Sequence, residues 1–249
     1  MKQNRLSPRF QPIFDHVVSI AAALLVVFFV RSSFYESYKI PSGSMIPTIL
    51  IGDHVFVNKF AYGFNLPFSE YFGNPIRLIE RPSPKAGEII VFESPRSSEI
   101  NYIKRVVGVE GDVVRIRDRR LFINDQEVFT SEPTPEESKD VFRLLRDPKF
   151  DESGMRVLKE SVANHEHWLL LDGTSFVSEN FGPYSVPTGH VFVMGDNRDF
   201  SDDSRFIGAI PIDKVRGRAT RIWLSIWIHF HPAEFDFRPL RTGKSLDSL

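Results

Sequence analysis

The sequence predicts a mainly β protein behind a single N-terminal membrane-crossing helix. Three observations point there. Residues 17–30 read VVSIAAALLVVFFV, with Ser19 as the one polar member. From residue 54 onward the chain falls into short runs of β-branched and aromatic residues, several alternating with period two, divided by turn formers. The apolar share of 42%, with 25% charged, is that of a folded chain rather than a disordered one. A length of 249 residues allows one large domain or two small ones, with a real core.

Taken in order, residues 1–11 form a short tail. The apolar run 17–30 would span about 21 Å as a helix, short of the roughly 30 Å hydrocarbon core. Extension from Ile13 to Phe34 gives about 33 Å and takes in Asp15, His16 and Arg31 near the ends, where a charge reaches the interface. A membrane-crossing helix is expected at 12–34. Lys2, Arg5 and Arg9 precede it and Arg31 and Lys39 follow. That slight bias places the N-terminus inside and the rest of the chain outside. The alternative is a cleaved signal peptide, whose basic and apolar regions fit but whose cleavage end, Val30-Arg31-Ser32, fits poorly. A buried soluble helix is disfavoured because the run is apolar all round.

The segment 40–49, IPSGSMIPTI, reads as a loop. HVFVNKF, EIIVFESP and NYIKRVVGV read as strands, and VVRIRDRRLFINDQEV as a hairpin turning at Asp118-Arg119-Arg120. Residues 131–187 change character, with charged SEPTPEESKD and then helix-like VFRLLRDPKF. They are expected to be a smaller inserted region between two parts of one core, 35–130 and 188–249. Strand signals return at 167–172, 190–194 and 219–228. Trp223 and Trp227 in the last of these suggest an interfacial patch, although a core strand is the better reading.

Composition excludes several functions. Lys plus Arg is 31 and Asp plus Glu 32, a net charge of −1 that argues against nucleic acid as a partner. The absence of Cys removes disulfides, thiol catalysis and Cys-rich metal sites. His165 with His167, and His229 with His231, can each share a strand face, but they read as surface histidines rather than metal ligands. No cofactor or metal is expected.

Three segments can carry chemistry. In Pro41-Ser42-Gly43-Ser44-Met45-Ile46-Pro47-Thr48, a serine after Gly43 in a Pro-fixed loop suits a nucleophile, which must be held still and open. The competing reading is a linker. In Tyr102-Ile103-Lys104-Arg105-Val106-Val107-Gly108, Tyr102 and Lys104 share one strand face, with Ile103 and Arg105 on the other. One of the two cations is expected against apolar surface. A lysine so placed loses solvation and its pKa falls; it must fall by about two units to act as a base near neutrality. Gly195-Asp196-Asn197-Arg198-Asp199-Phe200-Ser201-Asp202-Asp203-Ser204-Arg205 crowds acids, arginines and hydroxyls together without calcium-loop spacing.

Together, and in this order after an apolar helix, these segments resemble the bacterial type I signal (leader) peptidases. PSGSMIPTILIGDHVFVNKFAYG is similar to their nucleophile box, NYIKRVVGVEGD to the lysine box, GDNRDFSDDSR to the third box and GRATRIW to the strand that closes it. The likeness covers roughly 30–125 and 188–228. It implies a signal-peptidase-like β ectodomain and a serine endopeptidase that removes signal peptides from exported preproteins. It implies Ser44 as nucleophile and Lys104 as general base, a Ser-Lys form of triad logic. Ser42 Oγ and the Ser44 N–H would form the oxyanion hole, Ser201 would orient the lysine, and Asp203 with Arg205 and Asp196 would support the site. Ile40, Met45, Ile49, Tyr102 and Ile103 would line pockets for the small residues of an Ala-x-Ala site. The resemblance further implies a monomer whose partners are such preproteins and the lipid bilayer. Phe200 departs from the family, where a polar residue is common. Two other classes remain open: an anchored β-domain that binds without catalysis, and a Ser-Lys hydrolase with another substrate, such as a self-cleaving regulator.

Overall fold

The computed structural model describes residues 11–33, 35–65, 77–80, 82–145, 154–175, 179–230 and 233–248. Helix α1 spans Gln11–Ser33, where the membrane-crossing helix was expected. Phe14, Val17, Val18, Ile20, Leu24 and Val27 on it are exposed, so the rest of the chain does not cover it. Among the described residues, no helix is long and apolar enough to cross a membrane. The side chains of 11–13, 25–26 and 28–33 lie outside that set.

Strands β1 (Tyr35–Lys39) and β2 (Asp53–Asn58) pair antiparallel, Tyr35 opposite Asn58 and Lys39 opposite His54. The period-two pattern of β2 turns Asp53, Val55 and Val57 inward. β3 (Gly63–Asn65) and β4 (Arg77–Glu80) form a small ribbon. β5 (Ile89–Ser94) and β6 (Ser97–Gly108) make a hairpin with Arg96 at its tip. Then come β7 (Val113–Arg117), β8 (Arg120–Ile123) and β9 (Gln126–Glu127). The expected hairpin turns on Asp118 and Arg119, at φ 48° and 67°, and a second follows on Asn124 and Asp125, at 53° and 62°. Left-handed pairs of this kind match the twist of the strands that they join.

The stretch expected as an insert, 131–187, opens at the last residue of β10 (Phe129–Ser131) and takes in helix α2 (Pro135–Leu145), β11 (Met155–Val162) and β12 (His165–Asp172). α2 starts earlier than the helix-like stretch suggested. Thr134 accepts the Glu137 N–H at 3.3 Å while Glu137 accepts the Thr134 N–H at 2.9 Å, a capping box with Pro135 at the first helical position. Residues 146–150 of that stretch lie outside the described residues. Order β10-β11-β12 gives a separate three-stranded sheet. β13 (Phe181–Ser185) falls within 131–187 by sequence, yet it pairs with β7, Phe181 opposite Ile116.

β14 (His190–Met194), helix α3 (Ser204–Ile207), β15 (Ile210–Pro211), β16 (Val215–Phe230) and β17 (Ala233–Phe237) complete the chain. The main sheet runs β1-β2-β16-β5-β6-β14-β15, with β17 also on β16. β16 pairs in turn with β5, β2 and β17, and register shifts at 215/217, 219/221 and 222/224 bend it from one partner to the next. A Cβ at Gly217 would stand 2.5 Å from the Asn58 carbonyl oxygen, so only glycine permits that approach. Trp223 lies on β16 but is exposed, stacked on Phe56 at 5.5 Å. The side chains of Trp227 and His229, and the whole of His231, lie outside the described residues.

Candidate active site

The loop between β1 and β2 carries Ser44 in a run of turns over 44–48, closed by Ile46 N–H on Gly43 O and Ile49 N–H on Met45 O. β6 carries Lys104. The fold brings them together: Lys104 Nζ lies 2.6 Å from Ser44 Oγ and donates a second bond to Ile103 O at 3.0 Å. Both residues are buried, Ser44 7% and Lys104 4% exposed. Arg105, on the other face of β6, is buried as well, so both cations leave solvent rather than one.

Burial is the largest influence on Lys104 and lowers its pKa to about 8. The Asp203, Asp202 and Asp196 carboxylates push it back up, and Arg205 pushes it down. A buried ammonium is undersolvated, whereas nearby anions favour it; here the loss of water wins. The apolar neighbours were legible in the sequence, and Asp203 and Asp196 were expected at the site by resemblance, but Asp202 was not.

The third box wraps this pair. Asp203 takes a bidentate ion pair from Arg205, Nε and Nη2 each at 2.8 Å, and accepts the Gly195 N–H at 2.9 Å. It also caps α3. Burial is the largest influence and opposes its ionisation, but the Arg205 ion pair together with the Gly195 and Ser201 hydrogen bonds holds its carboxyl below the usual range. Ser201 Oγ donates to Asp203 at 2.7 Å. Ser201 was expected to orient the lysine; its one proton goes to the carboxylate beside it, while the bonds of Lys104 go to Ser44 Oγ and Ile103 O, and the Ser201 lone pairs are what it has to offer the amine. Asp196 is held by Arg105 at 2.9 and 2.7 Å and accepts from Thr48 Oγ1 at 2.6 Å. A Cβ at Gly195 would lie 2.4 Å from Ser44 O and 2.3 Å from Ser201 Oγ, so glycine lets the box close on the nucleophile.

Sequence reasoning missed several residues here. Asn197 donates its N–H to Ser44 O at 3.1 Å and its side-chain amide to Gly43 O at 3.0 Å, clamping the loop from one side. Arg241 bonds Thr48 O at 2.8 Å and Asp53 Oδ2 at 2.7 Å, clamping it from the other. Asn197 stood inside a quoted motif and was the easier to find; nothing local marks Arg241. His167 was read as a surface histidine, but it is 2% exposed, with Nε2 at 3.3 Å from Glu160 and 3.8 Å from Asp196. The physical reason is that β12 turns it inward, where Glu160 on β11 also pairs with Arg198 of the third box. Among the described residues, no group of three or more His, Asp or Glu is placed to hold a metal ion.

Of the expected pocket residues, Ile40, Met45, Ile49 and Ile103 gather in one apolar cluster with Val55, Val91 and Ile222. Met45 and Ile49 are fully covered. Tyr102 packs in a different cluster, its ring centroid 5.3 Å from Lys104 Nζ. Ser42 is exposed two residues before Ser44, and Phe200 is exposed beside Ser201.

Arranged this way, the site offers a hydroxyl and an amine that loses its proton near pH 8, with no histidine bonded to either among the described residues. A family model described as "Signal peptidase, peptidase S26" matches residues 13–224. The chain is 36% identical over 218 residues to Signal peptidase I of Pseudomonas fluorescens, covering 83% of this chain and 71% of that one. It is 34% identical over the same length to Signal peptidase I of Pseudomonas aeruginosa, with the same coverage. Against Signal peptidase I of Buchnera aphidicola subsp. Acyrthosiphon pisum, identity is 32% over 246 residues, covering 84% of this chain and 74% of that one. The chain belongs to the signal peptidase family, peptidase S26, the serine hydrolases that remove signal peptides.

Proposed function

We propose that the chain cuts exported preproteins at Ala-x-Ala-type sites on the outer membrane face, with Ser44 as nucleophile and Lys104 as general base. The observation that carries this is the 2.6 Å approach of Lys104 Nζ to Ser44 Oγ inside a buried, largely apolar setting. Neutral Lys104 takes the Ser44 proton as Oγ bonds to the scissile carbonyl carbon. It then delivers that proton to the leaving amine, and an acyl-enzyme remains on Ser44. A water that gives its proton to the same lysine hydrolyses the ester and regenerates the hydroxyl. Ser42 Oγ and the Ser44 N–H stabilise the oxyanion. Asp203, Arg205, Asp196 and Ser201 hold the third box against the pair. Ile40 and Ile103 border the pockets that limit the substrate to small side chains, with Met45 and Ile49 packed behind them.

α1 anchors the chain in the bilayer once, with the N-terminus cytoplasmic and the β domain outside, and the enzyme works as a monomer. Its 23 residues reach about 35 Å as helix, and the run 17–30 within it is apolar on every side apart from Ser19. The detergent-solubilised full chain, mixed with a preprotein bearing an Ala-x-Ala site, makes a single cut after the second alanine. Ser44→Ala and Lys104→Arg each abolish it, because a guanidinium stays charged at working pH. Substantial turnover by Lys104→Arg would overturn the assignment of the base.

A further inference from the structure

Arg96 stands at the tip of the β5–β6 hairpin with Nη1 2.6 Å from Asp202 Oδ2. The Tyr102 hydroxyl donates to the same oxygen at 3.4 Å. The Tyr102 ring in turn faces Lys104, 5.3 Å from Nζ. Asp202 is therefore at the rim of the lysine pocket, one residue before Asp203, with its other side open to water. Its side chain is 36% exposed and that of Arg96 61%. Exposed pairs add little to stability, so folding gives no reason for this one.

The other charges around Lys104 are arranged differently. Asp203 and Arg205, at the start of α3, neutralise each other, and Asp196 after β14 is neutralised by Arg105 on β6. Ser44 from the nucleophile loop and Tyr102 from β6 itself are uncharged neighbours. Those two carboxylates have guanidinium partners that are themselves buried. The partner of Asp202 is a surface arginine at the tip of the same hairpin whose second strand carries Lys104. The Asp202 charge favours the ammonium form of Lys104, in the same direction as Asp203 and Asp196.

We propose that Arg96 and Asp202 form a tuning pair for the base, in which Arg96 neutralises a carboxylate that would otherwise hold Lys104 in its charged, inactive form. This rests on the Ser44–Lys104 reading above. Both are positioning residues of an electrostatic kind, acting on the amine across the Tyr102 edge.

The test is kcat/KM for an Ala-x-Ala preprotein against pH, with the full chain in detergent, for wild type, Arg96→Ala, Asp202→Asn and the double variant. Arg96→Ala moves the rising limb up by about 0.5 pH unit, and Asp202→Asn moves it down by a similar amount. At neutral pH, Arg96→Ala is about threefold slower, and it matches wild type on the alkaline plateau. The double variant returns the limb to near its wild-type position, because it removes one negative and one positive charge together. If both single variants leave the limb in place while Lys104→Arg still abolishes cutting, the tuning pair is wrong and the dyad stands. A double variant displaced as far as Arg96→Ala alone also overturns the pair. If Lys104→Arg retains turnover, the dyad falls and the pair with it.

Discussion

At the scale of single residues, Lys104 carries a cost that the fold accepts for the sake of an amine without its proton. It titrates at about 8 in the folded chain against an ordinary 10.5. Between those values the folded state binds fewer protons than the unfolded one, so stability rises with pH across that window. Below pH 8 both states hold the proton and the full cost is present, up to about 3 kcal/mol at about 1.4 kcal/mol per unit. Lys104→Met should therefore be inactive yet more stable than wild type at neutral pH. The gain, read as a denaturant midpoint, should shrink as pH rises from 8 toward 10.5; a constant gain at all pH would mean that packing, not charge, is responsible. Ser44 and Lys104 were visible in the sequence because each lies in a local motif with few other uses. Thr48–Asp196 and Arg241–Asp53 were not, since their partners are 148 and 188 residues apart.

At the scale of elements, the insert is tied to the site rather than merely attached to the core. Glu160 on β11 pairs with Arg198, and the Arg198 carbonyl accepts from Arg205 Nη2 at 2.5 Å. Arg205 holds Asp203, which holds Ser201 and the Gly195 N–H. Glu160 and Arg198 are both buried, so removing one takes from the other the counter-charge of its ion pair. Glu160→Ala should cost about 3–5 kcal/mol in denaturant unfolding. Glu160→Ala with Arg198→Met should recover part of that, because the buried guanidinium goes together with its counter-charge. A double variant as unstable as the single would show that packing, not charge, dominates there. Strands and their turns were legible where alternation and left-handed turn residues coincide, as in β7 and β8. The extent of the insert was not, because nothing in FGPYS says whether β13 joins β12 or β7; that choice is made by register, Phe181 meeting Ile116.

Across the whole molecule, chain length sets where the nucleophile can reach. Ser44 lies ten residues beyond Phe34, and even a fully extended chain of that length spans about 35 Å at most. A helix anchored in the bilayer therefore keeps the site within that distance of the surface. A preprotein whose signal helix is also in the bilayer emerges in the same thin layer, so each partner meets the other at raised effective concentration without any further contact. The gain belongs to encounter rather than to chemistry, and this separates two measurements. Removal of 1–34 should leave kcat for a short soluble Ala-x-Ala peptide close to that of the full chain, because no group of the site comes from the helix. Processing of a preprotein inserted in vesicles should fall by about 10²-fold or more, the lower range of what tethering confers. Equal losses on both substrates would show that α1 supports the fold of the β domain instead of its address, and equal retention on both would remove the anchor from the mechanism.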